Sequence, residues 1–187
     1  MEPDRNDLWR KTLIHLTEGN FSALEQMLGG PQGFDRQIIQ WFNAGRFNGE
    51  SEMLAEALSC ACMLGRTRTA AFLIDYGVDP CTGMKTWLAG PHYAVSGGHI
   101  ETLRMLILKD IPLELENNYG GTLLGQALWS AVNEPKDRHA EIIEMLIDAG
   151  AKIEPGTLEW WEEQNVPSAE TKRRVSEAIK NAGGQNS

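Results

Sequence analysis

Cysteine and histidine are the residue types in this sequence that most directly suggest chemistry. Cys60 and Cys62 are separated by one residue, and Cys81, His92 and His99 follow. Such side chains could ligate zinc or supply a nucleophile and a general base. On a helix, however, Cys-x-Cys spacing points the two thiols about 200° apart, and no Cys-x-x-Cys partner or nucleophile motif follows. We therefore predict no metal site and no catalytic residue, and a Cys/His metal-dependent enzyme remains the alternative from a different functional class.

Two further motifs could indicate phosphate or carboxylate chemistry. The glycine-rich run Gly29 to Gly33 lacks the following Lys and Ser or Thr of a phosphate-binding loop, so we interpret it as a turn after a helix. Glu162 and Glu163 follow Trp160 and Trp161. Adjacent carboxylates at a predicted helix start are explained by their favourable interaction with the helix dipole. We predict that the chain is not an enzyme and needs no cofactor.

An internal repeat predicts the elements that position these residues. Three segments carry an apolar triplet at positions i, i+3 and i+4, followed by a turn residue. They are Ala70, Leu73 and Ile74 with Gly77; Leu103, Leu106 and Ile107 with Asp110; and Ile143, Leu146 and Ile147 with Gly150. The turn residues are 33 and 40 residues apart, and the extra 7 fall in the polar stretch Val132 to Arg138. A repeat of this period predicts a helical repeat protein.

The repeat unit can be built from these patterns. Each triplet forms the buried face of a short helix. A second helix with small residues such as Ala61, Ala94 and Ala127 precedes it and allows close approach. Gly65 and Gly98 lie between the two helices, where glycine supplies the positive φ of a tight turn. The unit is therefore a pair of antiparallel helices.

At these residues the chain resembles the ankyrin repeat family. The family pattern has a G-x-T-P-L-H-x-A-A opening, a G-H turn, a V-x-x-L-L run and a G-A-D close. The matching positions are Gly120, Gly121 and Thr122 with Leu124 and Ala127; His92 to Ala94 with Gly98 and His99; Gly77 to Asp79; and Gly150 with Ala151. The resemblance implies an all-α ankyrin-repeat solenoid of paired antiparallel helices joined by short hairpin loops. It also implies a non-enzymatic protein–protein interaction module.

We expect a single ankyrin-repeat domain over residues 1–187. Its units are an N-terminal cap at 6–33, an insertion at 34–49, repeats at 50–82, 83–115 and 116–154 with an insertion at 132–138, and a C-terminal cap at 155–187. The C-terminal cap repeats the pattern with Val175, Ala178 and Ile179. The sequence departs from the family at Asp110, where glycine is usual, and at Trp87, so the hairpin that contains Trp87 must differ from the family form.

Charge and composition limit the classes of partner that can be expected. The chain has 17 basic and 26 acidic residues and a formal net charge of −9, which disfavours nucleic acid and favours a protein partner with a basic face. An inhibitor or immunity-type regulator of a basic partner is one such function, whereas the alternative is that the charge only maintains solubility. Without a run of 18 apolar residues or a cationic, apolar N-terminus, a cytoplasmic monomer that does not contact membranes is expected.

The resemblance also implies a binding surface. In this family the hairpin tips and the exposed ends of the first helices line a concave groove. The partner-binding residues carried over to this sequence are Met63, Leu64, Lys85, Thr86, Asn118, Tyr119, Trp129 and Trp161. Large aromatic residues such as Tyr119 and Trp129 are typical of interface hot spots. The alternative is that Trp129 packs under the 132–138 insertion and Tyr119 packs against the next hairpin. Of Trp160 and Trp161, one is expected to face the groove and the other the core.

Both insertions are candidates for further roles. The 132–138 stretch is a loop that contacts a partner or a tolerated surface loop. The segment Phe34 to Gly49 contains Ile38, Ile39, Trp41, Phe42 and Phe47 and is too apolar for a bare loop. We expect it to form an added helix that covers the first repeats, with an exposed partner-binding patch as the alternative.

Overall fold

The computed structural model of the chain describes residues 5–82 and 88–183. It divides into two compact units, Met1–Tyr93 and Ala94–Ser187, with the boundary inside helix α6. The helices of the described residues are α1 (Arg5–Glu18), α2 (Phe21–Met27), α3 (Gly30–Asn43), α4 (Ser51–Met63), α5 (Thr67–Asp75), α6 (Gly90–Ser96), α7 (Ile100–Leu108), α8 (Leu123–Asn133), α9 (His139–Asp148), α10 (Thr157–Glu163) and α11 (Ala169–Gly183). None of the helices in these two ranges combines the length and the apolar character needed to cross a membrane.

The predicted apolar triplets form the buried faces of α5, α7 and α9. In each triplet the first two residues are fully buried and the third is half-buried. The turn after α7 contains Asp110 with φ 56, so this aspartate adopts the left-handed conformation for which the other repeats use glycine. The spacing of the triplets therefore predicted both the helices and their inward faces.

The first unit contains the helix pairs α1 with α2 and α4 with α5. Helix α1 packs on α4, while α3 packs on both α2 and α5. Phe34, Ile38 and Trp41 form the buried face of α3. Trp41 contacts Trp9 of α1 edge to face, with ring centroids 5.1 Å apart. The prediction of an added helix in the 34–49 insertion is thus confirmed, with its start four residues earlier at Gly30.

The glycine-rich run before α3 serves two purposes. Gly29 and Gly30 have φ values of 91 and 76 and make the predicted turn after α2. From Gly30 onward the run already belongs to α3, and Pro31 occupies the first turn of that helix. At Gly33 a Cβ would lie 1.9 Å from the carbonyl oxygen of Leu28. Only glycine lets the first turn of α3 pass this close to the end of α2.

The second unit is built around α9. This helix packs against α7, α8 and α11, and α11 also packs against α10. Val175 and Ile179 are buried on the inner face of α11, at the positions predicted for the C-terminal cap. On α9, Glu144 accepts two hydrogen bonds from Arg174 of α11, Nε to Oε1 at 2.9 Å and Nη2 to Oε2 at 2.5 Å. A bidentate ion pair therefore fixes α11 against α9 in addition to the apolar contact.

The interpretation of Glu162 and Glu163 as a helix start was wrong. These residues end α10 instead of beginning it. The carboxylate of Glu162 accepts hydrogen bonds from Ser176 and from Lys180, the latter at 3.2 Å, and these bonds lower the pKa of Glu162. Because a carboxylate at the C-terminal end of a helix is disfavoured by the dipole, its partners on α11 stabilise it there.

Candidate functional site

The hairpin before α8 is organised by the buried side chain of Asn117. Its Oδ1 accepts hydrogen bonds from the backbone N–H groups of Tyr119, at 2.9 Å, and Gly121, at 3.0 Å. Its own backbone N–H donates to Gly121 O at 3.0 Å, and Gly120 N donates to Asn117 O at 2.9 Å. These bonds close the hairpin on itself. They fix the backbone that carries Asn118 and Tyr119.

The same asparagine ties the hairpin to α8. Its Nδ2 donates to Gln126 Oε1 at 3.1 Å, and Gln126 Nε2 donates to Ser130 Oγ at 3.1 Å. Thr122 caps the start of α8 through its side chain. Since residues three apart are neighbours on a helix surface, Gln126 and Trp129 share one face of α8. The hairpin is therefore held against the helix face that carries Trp129.

Three of the predicted site residues are exposed on this hydrogen-bonded substructure. Tyr119 is 77% exposed and Trp129 is 47% exposed, and Asn118 beside Tyr119 is also exposed. About half of Trp129 is therefore accessible to solvent. Both aromatic side chains are exposed on elements whose backbone is already ordered by hydrogen bonds. We call Asn118, Tyr119 and Trp129 the aromatic surface of the second unit.

The remaining predicted site residues are placed differently. Met63 and Leu64, at the end of α4 in the first unit, are half-buried. Lys85 and Thr86, like Trp87, lie outside the described residues. A role in binding stays a prediction for Met63, Leu64, Lys85 and Thr86, and equally for Asn118, Tyr119 and Trp129.

The assignment of Trp161 to a partner-binding surface is corrected by the structure. Its side chain is fully buried, and its Nε1–H donates to the backbone oxygen of Lys172 at 3.1 Å. Trp160 is the exposed member of the pair, at 40%. The core member of the pair is therefore Trp161, and whether Trp160 faces the groove stays a prediction. Trp161 faces the core because α11 packs on the side of α10 that presents it.

Of the predicted 132–138 insertion, the first two residues end α8, and residues 134–138 form a loop that His139 fixes. The backbone N–H of Lys136 donates to His139 Nδ1 at 3.1 Å, and His139 N donates to Lys136 O at 3.2 Å. On the other side of the ring, Nε2 lies 3.3 Å from Ser96 O and can donate to it. This arrangement requires the neutral imidazole with its proton on Nε2. Burial lowers the pKa of His139, which agrees with a neutral ring.

We expect His139 to make the stability of the fold depend on pH. In the unfolded chain it binds a proton near its ordinary pKa of 6.5, and in the folded chain only at lower pH. The free energy of unfolding is therefore at its full value above about pH 6.5, and it decreases as the pH falls from there toward the lowered pKa. Lys136 opposes and Glu134 favours the charged ring.

Urea denaturation at about pH 7.5 and about pH 5.5 measures this effect. The His139→Gln variant should lose less stability between the two values than the parent chain. An equal loss in both proteins would show that other groups cause the pH dependence.

The cysteines are placed as structural thiols. Cys60 and Cys62 are fully buried, and burial raises the pKa of both, that of Cys62 to about 12. Cys81 is half-buried, and burial together with Asp79 raises its pKa to about 11. All three are therefore protonated and weakly nucleophilic near neutral pH. Within residues 5–82 and 88–183, no three His, Cys, Asp or Glu side chains form a cluster that could hold a metal ion.

Asn117 organises the candidate site, and the sequence patterns did not single it out. An Asx residue followed by glycine three and four positions later could have indicated a side chain that organises a hairpin. Its bond to Gln126 has no local signal, since it requires the register between the hairpin and α8.

Comparison with solved structures identifies the fold. The chain is similar to the crystal structure of an ankyrin repeat protein designated EF0377, with 12% sequence identity and a TM-score of 0.52 over 90% of this chain and 96% of that one. No protein-family model matches the sequence, and no curated protein matches it significantly. Likeness at this level of identity shows the fold alone. The chain has the all-α ankyrin-repeat fold that its sequence predicts.

Proposed function

We propose that this ankyrin-type chain is a non-enzymatic module that binds a protein partner through the aromatic surface of the second unit. The observation that carries the proposal is the exposure of Tyr119 and Trp129, 77% and 47%, on a backbone fixed by hydrogen bonds. Large aromatic side chains on rigid supports are typical interface anchors. The position also matches the hairpin tips and first-helix faces with which ankyrin repeats bind proteins.

Preorganisation supports binding at this surface. Ordering a loop on association costs free energy, and a loop already ordered in the free protein avoids that cost. Asn117 orders the hairpin through its own bonds and through Gln126 on α8. Binding at Tyr119 would therefore require little loss of backbone entropy.

Charge supports a partner with a basic face. The net charge of −9 favours the approach of a cationic protein. Glu114 and Glu116 are exposed in the segment before the hairpin. Glu114 Oε1 accepts from Lys152 N at 2.7 Å, which orients this carboxylate at the surface. We propose that the chain works as a cytoplasmic monomer. An inhibitor or immunity-type role would use the same electrostatic attraction to a basic partner.

The test is an affinity pull-down from a lysate of the source organism. The intact chain is compared with the Tyr119→Ala, Trp129→Ala double variant and with Leu108→Ala. Leu108 on α7 is 78% exposed and serves as the matched apolar control. A partner identified by mass spectrometry is then titrated against each purified protein. The double variant should bind it about thirtyfold more weakly or worse, because two hot-spot side chains are removed.

The circular dichroism of each variant confirms that the helices are retained. Unchanged affinity in the double variant would refute the aromatic surface as the binding site. If Leu108→Ala weakened partner binding equally, the loss of affinity would not be specific to the aromatic surface.

A further inference from the structure

A second aromatic cluster lies on the first unit, outside the surface proposed above. Phe42 of α3 is 5.3 Å from both Phe72 and Tyr76, between ring centroids, and the last two are 4.7 Å apart. Tyr76, at the C-terminal end of α5, is 63% exposed, and the two phenylalanines are half-buried. Single exposed apolar side chains are common on proteins, whereas three that contact one another at the surface indicate a binding patch.

An open cavity of about 720 Å³ also lies between α3 and α5. Arg36, Ile39 and Asn43 line it from α3, and Arg68 lines it from α5. Arg68 lies one helical turn before Phe72, on the same face of α5. The aromatic cluster does not line the cavity, but both features lie on α3 and α5, and we call them together the α3/α5 surface.

The α3/α5 surface is locally cationic on an acidic chain. Arg36 and Arg68 are exposed, and neither forms an ion pair with any residue in the described part of the chain. The carboxylate among the lining residues, Asp35, accepts a hydrogen bond from Thr69 Oγ1 at 2.5 Å and is directed to α5. Two guanidinium groups are thus available where the net charge of the whole chain is −9.

The core uses the apolar side chains of this surface only in part. Helix α3 buries Phe34, Ile38 and Trp41 against its neighbours. Ile39 and Phe42 form a second apolar stripe, only half-buried, beside that face. Phe42 contacts Phe72 of α5 and so helps to hold α3 on that helix. The remaining half-buried area of the stripe is accessible to a partner.

We propose that the α3/α5 surface binds an acidic peptide segment of a partner protein. Carboxylates of the segment pair with Arg36 and Arg68, and an apolar side chain packs on Phe42, Phe72 and Tyr76. Arginine favours carboxylates because its planar fork donates two parallel hydrogen bonds. This surface is independent of Tyr119 and Trp129, so either proposal can fail alone.

Fluorescence anisotropy with a labelled peptide tests the proposal. The probe is a fluorescein-labelled peptide in which Asp and Glu residues flank a central Trp. The Arg68→Gln variant should bind it about tenfold more weakly, and Tyr76→Ala should also weaken binding. Arg68→Lys should bind more weakly than the parent chain, because a lysine cannot form the bidentate pair. Raising the salt concentration should weaken binding to the parent chain.

The matched control is Arg104→Gln, which removes an exposed arginine from α7 in the second unit. It should leave the affinity within about twofold, since long-range charge effects are screened. Equal weakening in Arg104→Gln would reduce the effect to nonspecific attraction and overturn the proposal. The proposal would also be overturned if the acidic peptide did not bind the intact chain, or if a labelled single-stranded DNA bound more tightly than the peptide. Sedimentation that shows a dimer lost in Tyr76→Ala would assign the surface to a second copy of the chain instead.

Discussion

Replacement of Trp161 with alanine is expected to lower the free energy of unfolding by about 3–5 kcal/mol. Trp161 is the largest of the fully buried side chains. Its removal leaves a cavity between α10 and α11 and deprives Lys172 O of the indole N–H that reaches it at 3.1 Å. For a chain of this length each kcal/mol corresponds to about 2–4 °C in the melting temperature. Thermal unfolding followed by circular dichroism measures the effect.

The neighbouring tryptophan is the matched control. Trp160 is 40% exposed, and its replacement with alanine should cost no more than about 1 kcal/mol. Comparable losses in the two variants would contradict the placement of Trp161 in the core and of Trp160 at the surface.

Replacement of Gly33 with alanine is the second large effect that we expect, a loss of about 3 kcal/mol. The new Cβ would be 1.9 Å from Leu28 O, a backbone atom that cannot move without shifting the end of α2. The first turn of α3 must then move away from α2, and the buried contacts of Phe34 weaken with it. Urea denaturation of the purified variant measures the loss.

Gly125 of α8 provides the control for this substitution. A Cβ there would meet its nearest atom, Thr122 Oγ1, at 3.5 Å, which is an ordinary contact. Alanine should therefore be tolerated there, with a change of about 0.4–1 kcal/mol toward higher stability, because it lowers the conformational entropy of the unfolded chain. If Gly33→Ala were as well tolerated as Gly125→Ala, the close approach of α3 to α2 would be refuted.

The parts of the fold that local patterns determine could be predicted from the sequence. The triplet of Leu103, Leu106 and Ile107 predicts both a helix and its inward face, because the 3.6-residue period relates spacing directly to burial. The apolar content of Phe34 to Gly49 likewise predicts α3. Asp110 could be expected to adopt a positive φ, since it occupies a repeat position where glycine is usual.

The parts that depend on packing between helices could not be predicted in the same way. The sequence does not reveal which side of α10 packs on α11, so it cannot decide whether Trp160 or Trp161 faces inward. The partner of Glu162 could not be predicted for the same reason, since Lys180 is on α11. Of the candidate site, the exposed Tyr119 and Trp129 follow from repeat position, whereas the hydrogen bond between Asn117 and Gln126 follows from tertiary register.

The position of α3 has a consequence for how the first unit unfolds. In a regular repeat array, stability is a sum over repeats and nearest-neighbour interfaces, and a terminal repeat can fray by itself. Here the N-terminal helix pair is coupled to α4 and α5 twice, directly through α1 and α4 and again through α3, which packs on both α2 and α5. Loss of the α1–α2 pair would therefore disrupt two interfaces at once. Helix α3 thus couples α1 and α2 to α4 and α5, and we expect these helices to unfold as one cooperative block.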